Sequence, residues 1–205
     1  DQFSRTLRLN NVPLEPEWEV GPKPYDYLQH KVGGNNDMLK GLVYGYFLGY
    51  LALNENETEF KNRIKQASEK LYSNTKIVKH KVWNKPMVIG LKAITTGANK
   101  YRKEFIKSYS DPRVWFVNFG INTTIYWAGI TDWSGNHLSS VQNLVEIMMA
   151  DALNTPKLKS KLAKEASKSW IKLKRTDRVL NTFITKIFSM DEMAQNEKNE
   201  MEAKY

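Results

Sequence analysis

From Val114 to Thr131 the chain runs for eighteen residues without a charge, VWFVNFGINTTIYWAGIT. A stretch of this length must be hidden from water, either in lipid or inside protein. Trp115 and Trp127 stand near its two ends, with Arg113 and Asp132 flanking it. Amphipathic rings in those places suit the two interfaces of a bilayer. Asp111-Pro112 just ahead reads as a helix start, with Asp as the cap and Pro in the first turn. Inside the run, Asn118, Asn122, Thr123 and Thr124 are polar, so they need hydrogen-bond partners across a helix interface. The β-branched and aromatic content also permits a buried strand or two.

A second uncharged run lies between Lys40 and Glu55. Gly41, Gly45 and Gly49 recur every four residues in it, which puts all three on one helical face. In water each would weaken a helix by about 1 kcal/mol relative to Ala, so a packing role is expected. The strip would let another helix backbone come close, in a membrane or at a tight crossing of soluble helices. Tyr44, Tyr46 and Tyr50 add rings suited to interfaces.

Other segments are helical but polar. Phe60, Ile64, Ala67 and Leu71 form a narrow apolar stripe within Glu57–Lys79. Trp83–Ala98 is apolar enough to bury, although Lys92 interrupts it; Pro86 suits a first turn. Val141, Leu144, Val145, Met148 and Met149 give a further stripe. Asn154-Thr155-Pro156 then breaks the chain, and Thr155 is expected to cap the next helix.

The first part of the last helical region, 155–190, as far as Arg178, carries most of the net charge. Lys157, Lys159, Lys161, Lys164, Lys168, Lys172, Lys174, Arg175 and Arg178 stand against Glu165 and Asp177; nine minus two is +7, out of +9 for the chain. Leu158, Leu162 and Ala166 share one face of it. A basic amphipathic helix suits an anionic lipid surface, at about 1 kcal/mol per basic residue near it, and a nucleic-acid backbone has the same attraction.

Residues 1–37 contain Pro13, Pro16, Pro22 and Pro24, which exclude a long helix. The segment is expected to be an extended arm lying over a partner, with a disordered terminus as the alternative. Residues 191–205 read as a polar, mobile tail. The expected organisation is an arm at 1–37, an apolar helical membrane-associated region at 38–154, a basic amphipathic helix at 155–190 and the tail. The fold class is mainly α, with one or two membrane-spanning or buried apolar helices.

Catalytic signatures are missing. Cysteine is absent and His30, His80 and His137 are far apart, so no thiolate or histidine metal site is expected. No phosphate-binding glycine loop or nucleophile elbow occurs. The expectation is a non-enzyme without cofactor or metal.

The order of features resembles the mitochondrial inner-membrane translocase superfamily, which includes an accessory subunit of respiratory complex I. The resemblance rests on Gly41, Gly45 and Gly49 in a first apolar segment, and on Tyr101-Arg102-Lys103 followed by Asp111, Asn118 and Gly120. It covers residues 36–129. It implies a structural or protein-import role in the mitochondrial inner membrane. It also implies four spans, of which two are fair here, and the basic C-terminal helix is outside the family pattern. The function expected is an accessory subunit of a mitochondrial inner-membrane complex, respiratory or ATP synthase. Gly41, Gly45, Gly49, Asn118 and Asn122 would mediate helix packing, and Lys157 to Arg178 would hold anionic phospholipid such as cardiolipin. Its partners would be other subunits of the complex. A basic RNA-binding or ribosomal protein, and a soluble helical enzyme or toxin, are the alternatives.

Overall fold

The computed structural model describes residues 4–32, 36–74, 84–120, 135–173 and 199. The chain forms two units, 1–42 and 43–205.

The first unit includes the segment expected as an extended arm, 1–37. It contains three antiparallel strands, β1 (Ser4–Leu9), β2 (Trp18–Val20) and β3 (Leu28–Val32), in the order β1-β3-β2. All four prolines fall in the connections, where their missing N–H removes no ladder bond. Register pairs Leu7 with His30, Arg8 with Gln29 and Leu9 with Leu28, and Val20 with Gln29 on the other side. Side chains alternate across a strand, so Arg8, Gln29 and Val20 share one face and Leu7, Leu9, Leu28 and His30 the other.

The Gln29 face is covered by the β1–β2 connection. Gln29 Nε2 donates to Asn10 Oδ1 at 2.9 Å and to the Val12 carbonyl at 2.8 Å. Arg8 Nε donates to Gln29 Oε1 at 2.8 Å, and its guanidinium lies 3.9 Å from the centre of the Trp18 ring.

Helix α1 (Asn36–Ala52) begins in the first unit and continues into the second. In the second unit it buries Val43 and Phe47. Gly49 of α1 faces Ile64 of α2 (Thr58–Ser73), where an added Cβ would lie 3.6 Å from the Ile64 methyl. Tyr50 hydroxyl donates to the Thr95 carbonyl at 3.2 Å. On α2 the buried edge is Ser68 and Leu71, while Phe60 is exposed. The stripe is therefore rotated from the one read in the sequence, because Ser68 hydrogen-bonds Thr95 at 2.8 Å inside the interface.

The second unit is organised around α3 (Lys85–Thr96), which packs against α2, α4 (Asn99–Ser108) and α6 (Gly135–Ala152). Met87, Val88, Ile89 and Leu91 are all fully buried. Each such side chain contributes about 1.5–3 kcal/mol relative to exposure. Pro86 sits in the first turn, and Gly97 at φ 64° ends the helix by donating to the Ala93 carbonyl. At Gly90 the neighbours leave no room for a side chain: a Cβ there would lie 2.6 Å from Met149 Sδ and 3.1 Å from Phe105 Cε2.

Asp111 caps α5 (Pro112–Trp115) by accepting from the Arg113 amide at 2.9 Å, with Pro112 in the first turn as expected. A π-helical turn, Phe116–Gly120, continues from it. Helix α7 (Pro156–Leu173) lies against α6 and buries Leu158, Leu162, Ala163 and Ala166. Thr155 does not cap α7 with its hydroxyl. It donates instead to the Ala150 carbonyl at 2.8 Å and closes the end of α6, with Asn154 left-handed at φ 50°. Among the described residues no helix is long and apolar enough to cross a membrane.

Candidate docking surfaces

The first candidate surface is the outer face of the N-terminal sheet. From Thr6 to Lys31 the single buried residue is Gln29. Leu7 is 61% exposed and Leu9 59% on this face, while Val20 on the opposite face and Val12, Leu14, Tyr25 and Tyr27 in the connections are exposed as well. Isolated exposed apolar residues are ordinary, but Leu7 and Leu9 lie side by side on one face of a sheet whose interior is one amide side chain. Below roughly 40 residues a sheet rarely has enough apolar burial to hold itself together without help.

The second is one face of α7. Lys157, Lys161, Lys164 and Lys168 are exposed and spaced by four, three and four residues, so they form one row. Lys161 Nζ lies 4.1 Å from the centre of the Trp115 ring. Lys168 pairs with Glu165 at 2.7 Å, and Lys159, off the row, pairs with Asp151 at 2.7 Å. Lys172 belongs to α7, while Lys174, Arg175 and Arg178 lie outside the described residues.

Gly41 and Gly45 are exposed, and a Cβ at either would meet nothing within 4 Å. Of the three glycines expected to pack helices, Gly49 has its neighbour in this chain and the other two open outward.

Asn118 is engaged from within. It is buried with Gln142, Asn143 and Glu146 of α6. Asn118 Nδ2 donates to Glu146 Oε2 at 3.0 Å, and Gln142 Nε2 donates to Asn118 Oδ1 at 3.0 Å and to Glu146 Oε1 at 2.9 Å. Tyr109, also buried, has its hydroxyl pushed well above the ordinary value by burial and then by the negative charge of Glu146. Asn118 thus has the interhelical partners that its sequence context called for, and they belong to this polypeptide. Val114 and Phe119 are buried too. Asn122 and the rest of the uncharged run, 121–131, lie outside the described residues.

Lys92, read as an interruption, is 3% exposed. It pairs with Glu69, and its ammonium lies 5.3 Å from the Tyr101 ring centre and 6.0 Å from that of Tyr72. Burial first, then the like charges of Lys100 and Lys65, pull its pKa down. Tyr72 donates to Glu104 at 2.9 Å; burial, that bond and the Glu104 charge push its hydroxyl up to about 12.

A cleft of about 260 Å³ is lined by Ala93, Gly97, Ala98, Arg102, Leu153 and Asn154, among others. Its charged group, Arg102, donates to the Asn154 carbonyl at 2.6 Å and so serves the end of α6. A catalytic site needs convergent acid, base or nucleophile groups open to substrate. Both polar clusters are instead tied into helix packing. Among the described residues there is no group of three or more His, Cys, Asp or Glu suited to a metal ion.

No family model, no curated protein and no solved structure matches this chain.

Proposed function

We propose that the protein is a non-catalytic accessory subunit of a membrane-associated complex, joined to a neighbouring subunit through the outer face of its N-terminal sheet. The observation that carries this is the sheet itself. It shows Leu7 and Leu9 to solvent while burying only Gln29 between Thr6 and Lys31. Covering those leucines with a protein partner supplies the apolar burial that the sheet lacks.

The exposed Gly41 and Gly45 support the same reading, since they leave room for a helix of another subunit. The lysine row of α7 supports an anionic phospholipid surface such as a cardiolipin-rich leaflet as the second partner. The mitochondrial inner membrane, and a respiratory or ATP synthase complex within it, rest on the resemblance in residues 36–129.

The test is native electrophoresis of a mild-detergent extract. Wild-type chain should migrate in an assembly well above its own 23.8 kDa. The Leu7→Asp/Leu9→Asp double variant should fall back to the unassembled position with unchanged far-UV circular dichroism. Wild type that migrates alone would reject the subunit reading.

A further inference from the structure

We propose that Phe116, next in the chain to Trp115, is the point at which the protein inserts into an anionic phospholipid bilayer. The inference rests on the lipid-surface part of the function proposed above and adds the residue that penetrates.

Phe116 is 55% exposed at the start of the π-helical turn. Such a turn holds an extra residue and re-aims side chains relative to an α-helix. The ring of Phe116 lies over Gly120, where a Cβ would come within 3.0 Å of it, so the glycine leaves the space that the ring occupies. Beside it, Trp115 is held in place on three sides. Its ring stacks on Phe119 with centres 5.2 Å apart, its Nε1 donates to the Tyr109 carbonyl at 2.5 Å, and it receives the Lys161 ammonium.

Charge identifies the occupant. Lys161 is the member of the Lys157–Lys161–Lys164–Lys168 row that touches Trp115, so the indole adjoins a line of cations. An exposed apolar ring one residue along from an indole that carries a row of ammonium groups matches a bilayer edge: phosphodiesters at the lysines, indole at the headgroup level, Phe116 among the acyl chains. Arg113, although exposed, is held by both carboxylate oxygens of Asp111.

The absence of cysteine allows a single reporter to be placed. Phe116→Cys and, as a control on exposed α2, Glu59→Cys are each labelled with an environment-sensitive NBD dye. Both are mixed with phosphatidylcholine vesicles and with the same vesicles doped with phosphatidylglycerol. The protein should float with the doped vesicles alone, and the dye at 116 should brighten and shift to the blue while that at 59 stays aqueous. Unlabelled Phe116→Ser, with wild-type circular dichroism, should partition about tenfold more weakly, the scale set by burying one aromatic side chain. Flotation with an aqueous signal at 116, or equal partition of Phe116→Ser, overturns the insertion and leaves the lipid-surface reading standing. No flotation of wild type overturns that reading and the insertion with it.

Discussion

Asn118→Leu should destabilise the protein by about 3 kcal/mol, out of a typical total of about 5–15. Asn118 Nδ2 donates to a carboxylate oxygen of Glu146 at 3.0 Å, and its Oδ1 accepts from Gln142 at 3.0 Å. A hydrogen bond to a charged group is worth about 2 kcal/mol and an amide–amide bond about 1. Glu146 is fully buried, so water cannot replace the donor that is lost. Removing the carboxylate as well should reverse most of the cost: Asn118→Leu/Glu146→Leu should lie within about 1.5 kcal/mol of wild type, because no buried charge is then stranded. Urea unfolding followed at 222 nm measures both, and the double-mutant cycle isolates the coupling. A single-variant cost below about 1 kcal/mol, or a double cost equal to the sum of the singles, would refute the view that this network is a closed structural element.

Alkaline pH should weaken the fold. The Tyr72 hydroxyl is held neutral up to about 12 in the folded chain, against 10.0 ordinarily. Its contribution is complete below pH 10 and is lost as pH rises from 10 to 12, because only the unfolded state releases the proton in that window. Tyr72→Phe should flatten this part of a plot of urea midpoint against pH. Gly45→Ala, with open space beside it, should stabilise the unassembled chain by about 1 kcal/mol, and should at the same time weaken assembly on a native gel if a partner helix lies there. Gly90→Ala should do the opposite in the isolated chain. Its Cβ strikes Met149 and the Phe105 ring, so thermal unfolding should show a loss of about 1–3 kcal/mol.

The parts of the fold legible in the sequence are those set by local rules. The Asp111-Pro112 start was readable because cap and first-turn proline act within three residues, and the structure has the Asp111 carboxylate on the Arg113 amide. The α7 stripe of Leu158, Leu162 and Ala166 was readable from its period and is buried as a row. The sheet was missed because four prolines outweighed a weak signal. Leu7 and Leu9, and Leu28 and His30, do alternate with polar residues, but over strands of six and five residues. Asn118 announced that it needed a partner; that the partner was Glu146 could not be read, because 28 residues and a helix packing angle separate them. Lys92 reads only as an interruption of an apolar segment, since nothing local shows that Glu69, Tyr72 and Tyr101 converge on it. Thr155 had the right type and place for a cap, yet its hydroxyl serves the preceding helix, a choice set by the left-handed Asn154.

Amide hydrogen exchange, compared between the isolated chain and the chain in its native assembly, probes the sheet's contact with a partner most directly. The account predicts that amides of Thr6–Leu9 and Leu28–Lys31 exchange at least about tenfold more slowly in the assembly, while those of Met87–Ala93 in α3 do not change. Equal exchange across β1 and β3 in the two states would contradict it.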